Sequence, residues 1–262
     1  MSFCDHIEAH ACIPTTMELA RERAAMGAPE GTTITALSQT AGRGRRSRTW
    51  FSPPGAGVWM TTVLWPQRDG LRRPPQQLAL VAGVAVADAL LQLGCTGVGL
   101  KWPNDLLWHG RKVAGVLLEA VAIHPTSLAV LVGIGLNVWA RERARPAPDI
   151  ARRYAGLEDI LQRRAAPKDV LPVVLRSVER WYRHWRVAGL EQVLHFWRQH
   201  DLLLGKRVTV GEAPQRLEGR AWGLDSEGRL RVKHEPTPET PGGSTPVTAI
   251  SGGEICCVDG LP

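Results

Sequence analysis

What this 262-residue chain lacks narrows its class before any motif is read. Its five cysteines, Cys4, Cys12, Cys95, Cys256 and Cys257, are odd in number, two are adjacent and none forms C-x-x-C. That usage excludes a paired disulfide framework and a thiolate metal site, and it fits a reducing compartment. The first eight residues carry Asp5 and Glu8 and no basic stretch leading into an apolar one, so they do not read as a signal peptide. No run is apolar and long enough to span a bilayer. The most apolar segment, residues 78–93, contains Asp88 and Gln92 and falls short of the roughly 20 residues a membrane helix needs. No internal repeat is visible. The expectation is a soluble, cytoplasmic chain with no membrane partner.

What is there supports a full core: 44% of the residues are hydrophobic, and the length permits one large domain or one large plus one small. Thirty-two Lys and Arg against 25 Asp and Glu leave a formal charge of +7. Such an excess favours anionic partners (nucleotides, nucleic acid or acidic proteins) without choosing among them. Much of it is arginine at Arg72-Arg73, between residues 141 and 153, and at Arg163-Arg164, where a solvated basic face is the ordinary reading.

Local patterns give a mixed order of elements. Thr15 followed by Glu18 offers a capping box for a helix running to Gly27. Strands are expected at 32–39, 58–65, 98–102, 105–108, 113–121 and 128–135, with His109-Gly110 as a hairpin turn. A long apolar helix fills 76–93 and stops at Gly94. Helices at 169–185 and 190–200 place apolar residues, tryptophans among them, on helical spacing, which makes most of those rings core. From Gly205 the pattern changes to five short strands, at 207–210, 217–224, 230–233, 247–250 and 255–258, with a Pro/Gly/Thr-rich loop at 236–246. The expected domains are 1–203 and 204–262.

Four segments carry chemistry. In Gly42-Arg43-Gly44-Arg45-Arg46-Ser47-Arg48, glycines let backbone amides approach an anion while guanidinium forks neutralise it. On composition the same loop reads equally as a basic surface loop or a Gly-Arg contact to nucleic acid. In Lys101-Trp102-Pro103-Asn104-Asp105 a lysine ends an apolar strand before a turn, a rigid placement suited to meeting developing negative charge. Gly110-Arg111-Lys112-Val113-Ala114-Gly115 and Gly133-Ile134-Gly135-Leu136-Asn137 put small residues at strand positions, leaving room for a ligand or for closely packed backbone.

Taken in this order, the segments resemble the biotin protein ligases. The marks are Thr15-Thr16-Met17, Gln39, Gly42 to Ser47 with Trp50, Lys101 to Asp105, Lys112 to Glu119, Gly133 to Asn137, and the C-terminal Gly223-Leu224-Asp225 with Gly228 and Gly252-Gly253-Glu254-Ile255. Two residues depart from the family pattern: Met17 stands where an Asn is expected, and Ser47 where a glycine usually closes the arginine loop. The resemblance implies an α+β fold, a mixed central sheet flanked by helices like the class II aminoacyl-tRNA synthetases, with a small SH3-like β-barrel at the C-terminus.

It also implies an ATP-dependent, AMP-forming ligase. Biotin would be activated as biotinyl-5′-AMP, with Mg²⁺ as activator, and passed to a lysine of a biotin carboxyl carrier protein. Lys101 and Arg45 are the implied catalytic residues. The biotin contacts are Thr15, Thr16, Met17, Gln39, Gly42, Arg43, Gly44, Arg45, Lys101 and Gly115; the nucleotide contacts are Arg43, Arg45, Arg46, Trp50, Asn104, Lys112 and Asn137. No protein-held metal, no specific nucleic acid and a monomer or weak homodimer complete the expectation. Lipoate ligases and octanoyl transferases share the acyl-to-lysine logic but, as families, lack the arginine-loop and Lys-Trp-Pro-Asn-Asp pair. A repressor of the kind that carries an N-terminal winged helix would need roughly 50 residues upstream of the ligase-like segment.

Overall fold

A strand buried on both faces belongs in the middle of a covered sheet, and residues 57–64 are buried at all eight positions. The computed structural model describes residues 2–67, 70, 73–124, 127–211, 216–234 and 246–258, the side chains of 256–258 excepted. Its large sheet comprises β1 (Ile7–Ile13), β2 (Thr33–Gln39), β3 (Gly57–Leu64), β4 (Val98–Lys101), β5 (Asp105–Trp108), β6 (Arg111–His124) and β7 (Ser127–Asn137), in the spatial order β1-β2-β3-β7-β6-β5-β4. Only the β1–β2 pair is parallel; the other pairs in this sheet are antiparallel. The helices are α1 (Thr16–Ala25), α2 (Leu78–Gln92), three short ones, α3 (Arg141–Ala144), α4 (Pro148–Ala151) and α5 (Leu157–Leu161), and then α6 (Pro167–Ala188) and α7 (Glu191–His200).

Strand alternation divides the packing between two faces. On β7, Val130, Val132, Ile134 and Leu136 join the core built with α2 and α6, while Ala129 and Leu131 join a second cluster under α1, with Met17, Ala20, Ala24, Ile34 and Val63. Beyond Leu131 the α1-side positions are Gly133, Gly135 and Asn137. That face therefore becomes an open floor where α1 no longer covers it. Asp88, which interrupts the apolar run of α2, is the acceptor that docks α6: Ser177 Oγ (2.9 Å), Trp181 Nε1 (2.8 Å) and Arg180 all donate to it. The expectation that most tryptophans are core holds for Trp185 and Trp197, both almost fully buried.

The strands β8 (Arg207–Val210), β9 (Leu217–Leu224), β10 (Leu230–Lys233), β11 (Val247–Ile250) and β12 (Ile255–Val258) form a second, antiparallel sheet in the order β11-β10-β9-β8-β12. All five fall at the expected residues. Closure into a barrel does not: among the described residues β11 and β12 are the two edges of an open sheet and do not pair with each other. Residues 236–245 of the expected loop lie outside the described residues. Strand β1 was not expected. Its exposed alternation, with Glu8 and His10 among the apolar residues, is that of an edge. Thr15 caps α1 as expected but the capping box does not form: Thr15 Oγ1 accepts from the Met17 amide at 3.3 Å rather than from that of Glu18, and the Glu18 carboxylate lies 3.6 Å from Arg43.

Glu158 on α5 is buried and accepts from the Ala140 amide (3.1 Å), the Ala165 amide (3.0 Å) and Arg143 (2.6 Å). Burial pushes its carboxyl up, but the amide donors and Arg143 outweigh burial and hold it below the ordinary 4.5. A depressed carboxyl contributes stability above its unfolded value and loses it as pH falls through the folded value. Chemical denaturation of Glu158→Gln is therefore expected to show about 1–3 kcal/mol less stability at neutral pH. The deficit should shrink on acidification below pH 4.5; a deficit independent of pH would contradict the assignment.

Candidate active site

The open floor beyond α1 is roofed by the arginine loop, and the two enclose a cavity of about 490 Å³. Every implied site residue lines it except Gly42. Gly42 lies beneath the loop: a Cβ there would sit 2.6 Å from the Trp50 carbonyl oxygen and 2.8 Å from Ser52 Oγ, so only glycine lets the loop fold back this closely.

At one end the polar groups form a chain. Gln39 Oε1 accepts from the Thr16 amide (2.8 Å) and from Thr16 Oγ1 (3.3 Å), Gln39 Nε2 donates to Ser52 Oγ (2.9 Å), and the Thr16 and Thr61 hydroxyls meet at 2.8 Å. Thr15 is occupied as the α1 cap. Met17, only 3% exposed, reaches the same end and packs its methyl over Gly133, where a Cβ would be 2.7 Å away. An amide at this position would enter a cluster of Ala20, Ile34 and Leu131. Met17→Asn is thus expected to lower stability by about 1–3 kcal/mol in a denaturant titration, and an unchanged unfolding midpoint would show that the site supplies partners for the amide.

Lys101 ends β4 and is half-buried. Asp105, its cross-strand partner, is ion-paired with Lys112 at 2.7 Å. The Lys112 ammonium also stands 5.1 Å from the centre of the Trp50 ring. The glycines of β6 and β7 make the bed for that ring: Gly115 and Gly135 are paired across the strands, and a Cβ on Gly135 would collide with the indole. Small residues here were expected to leave room for a ligand or for closely packed backbone; in this structure the Trp50 indole occupies the room above Gly135. Asn137 is buried and its amide donates to the Lys112 carbonyl at 3.1 Å, so it braces the β6–β7 edge.

Arg45 is held twice, donating to Asn104 Oδ1 (3.0 Å) and to the Gly253 carbonyl (3.0 Å); burial pushes its guanidinium below the ordinary arginine range. Arg46 pairs with Glu254 at 3.2 Å and Arg48 pairs with the other oxygen of the same carboxylate. Sequence reading did not include Arg48, Glu254, Arg153 or Tyr154 among the site residues, though all line the cavity. Glu254 stands in a quoted motif, whereas Arg153 and Tyr154 carry no local signal: they arrive because the Lys112 amide donates to the Arg153 carbonyl at 2.5 Å.

The loop turns through two successive left-handed residues, Arg46 (φ 54°) and Ser47 (φ 59°). A non-glycine residue there is strained by about 1–2 kcal/mol, while glycine loses about 0.5–1 kcal/mol in unfolded-chain entropy. Ser47→Gly is expected to stabilise the protein by about 0.5–1 kcal/mol net, read as a raised unfolding midpoint. A lowered midpoint would mean that the Ser47 side chain contributes more than its strain.

The comparisons with known proteins agree with this geometry. Residues 9–137 match the profile of the Biotin/lipoate A/B protein ligase family. The chain is 34% identical over 229 residues to the bifunctional ligase/repressor BirA of Bacillus subtilis, covering 87% of this chain and 69% of that protein. To the biotin--[acetyl-CoA-carboxylase] ligase of Paracoccus denitrificans it is 33% identical over 205 residues, 76% of this chain and 83% of the other. The fold superimposes on the biotin protein ligase of Aquifex aeolicus in complex with biotin and ATP with a TM-score of 0.79 at 28% identity, covering 95% of this chain and 97% of that one. Identity at this level across most of the chain, together with a cavity that gathers the motifs, establishes that the chain belongs to the biotin/lipoate A/B protein ligase family.

Proposed function

We propose that the chain is a biotin protein ligase, activating biotin with ATP to biotinyl-5′-AMP and transferring the biotinyl group to a lysine of a biotin carboxyl carrier protein. The observation that carries it is a single cavity that gathers the hydroxyl and amide groups of Thr16, Gln39 and Thr61, the strand-end Lys101 and the arginines of the loop. A small acid and a nucleotide need those three environments in one space. The named acceptor of the Paracoccus relative and the biotin and ATP of the Aquifex structure point the same way.

In the first step a biotin carboxylate oxygen attacks the α-phosphorus of ATP and pyrophosphate leaves. In the second the acceptor amine attacks the acyl carbon, AMP leaves with the bonding pair, and the amine gives up a proton. Catalysis of such a displacement is mostly alignment of two anions and stabilisation of charge on phosphoryl oxygens. Lys101 is assigned the position between carboxylate and α-phosphate; Arg43, Arg45 and Arg46 the phosphates; Thr15, Thr16, Met17, Gln39 and Gly115, with the loop amides of Gly42 and Gly44, the biotin side. Trp50, Asn104, Lys112 and Asn137 are assigned to the nucleotide side. Residues 1–203 form the catalytic unit and 204–262 the small appended one, in a monomer or weak homodimer without specific nucleic-acid binding.

The cavity's two carboxylates, Asp105 and Glu254, are both ion-paired, and among the described residues no group of three His, Cys, Asp or Glu gathers to hold a metal. The donor set does not make a protein cage for Mg²⁺, so an activating Mg²⁺ would be carried on the nucleotide's phosphates. Among the described residues no helix is long and apolar enough to cross a membrane; with the bacterial relatives, that supports a cytoplasmic setting.

Acid-dependent ATP–pyrophosphate exchange tests the reading. Biotin is expected to stimulate exchange in the wild type, lipoate and octanoate to fail, and Lys101→Ala to slow biotin-dependent exchange at least about 100-fold through loss of charge stabilisation. Stimulation by lipoate and not biotin would reassign the substrate.

A further inference from the structure

Both motifs that build the site are fastened to the C-terminal sheet. The Trp102 indole, buried beside Lys101, donates to the Gly228 carbonyl at 3.2 Å in the turn between β9 and β10. The arginine loop is fastened at the turn between β11 and β12: Arg45 donates to the Gly253 carbonyl, and the two oxygens of Glu254 take Arg46 and Arg48 separately. Glu254 is not presented from a free strand end. Its own carbonyl accepts from the Gly211 amide at 3.0 Å, and Gly253 packs so closely on Val210 that a Cβ would lie 3.0 Å from its side chain. The segment is thus anchored through β8 while its carboxylate faces the cavity.

From this geometry we infer that Glu254 is a positioning residue for the ligase reaction, a latch that holds the arginine loop closed over the cavity and so retains the acyl-adenylate between the two steps. The inference rests on the ligase reading. Its physical basis is charge: three neighbouring guanidiniums, Arg45, Arg46 and Arg48, repel one another, and a bidentate carboxylate offsets that repulsion while fixing their direction. Each guanidinium has five donors, so holding Glu254 and holding phosphate oxygens are compatible. A closed loop excludes water from the mixed anhydride, which hydrolyses or escapes once the loop opens. The alternative, a carboxylate that merely stands in for phosphate until ATP displaces it, has the opposite kinetic signature, because removing a competitor tightens ATP binding.

The test uses the full chain loaded with biotin and ATP, and follows release of biotinyl-5′-AMP after dilution. Glu254→Gln keeps the size and removes the charge; it is expected to release the adenylate about threefold faster or more, as for partly exposed ion pairs. Glu254→Asp should recover part of the retention. Arg48→Gln approaches the same latch from the other side and, should the Glu254 variants not fold, decides alone: faster release supports the latch and unchanged release overturns it. Release from Glu254→Gln that is unchanged or slower, or a lowered KM for ATP, overturns it as well. Absence of biotin-dependent exchange in the wild type would instead sink the ligase reading, so the two failures are distinguishable.

Discussion

Positive charge concentrated around one cavity is the constraint to which the rest of the structure answers. Arg43, Arg45, Arg46, Arg48, Lys101 and Lys112 all line the same space. Left mobile, such groups would spread into solvent and away from each other. Instead their internal acceptors belong to different parts of the chain: Glu18 on α1 for Arg43, Asn104 and Gly253 for Arg45, Glu254 for Arg46 and Arg48, Asp105 for Lys112. Preorganisation of this kind matters because charge that is already oriented need not reorganise when the reaction begins.

The sheet makes that arrangement affordable through alternation. One face of β7 is filled with Val130, Val132, Ile134 and Leu136 against the long helices, while the opposite face passes from Ala129 and Leu131 to Gly133 and Gly135. Stability is concentrated on the first face and space on the second. Trp50 lies in that space on the paired glycines, with Lys112 at its ring, so the loop and the sheet meet through an aromatic contact as well as through ion pairs. Met17 shows the same division from the other side, since its stem belongs to the α1 cluster and its methyl covers Gly133 at the cavity's end.

Much of this was legible in the residues. The hairpin at His109-Gly110 has both residues at positive φ, 47° and 75°, as a two-residue turn of that type requires. The five C-terminal strands fall where the Gly punctuation placed them. Strand β1 escaped because an edge strand need not be apolar, and its partner β2 is distant from it in sequence. The Thr15–Glu18 capping box was read from spacing alone, and spacing does not register that Arg43 competes for the same carboxylate. Arg153 and Tyr154 had no local signature, because they reach the cavity through a backbone pairing with Lys112 that short-range pattern does not record.

By itself, the order of the motifs determined the chemical class, because it is their order that resembles the biotin protein ligases; the composition of the arginine loop alone left a phosphate site, a basic surface and a nucleic-acid contact equally open. Tertiary structure alone decided what holds them. The partners that Arg45, Arg46 and Arg48 find in the C-terminal sheet lie about two hundred residues downstream at Gly253 and Glu254, and a contact across that separation depends on how β8 and β12 pair rather than on any local preference. The arginine loop's composition sets its charge; the sheet that meets it sets the direction in which that charge points.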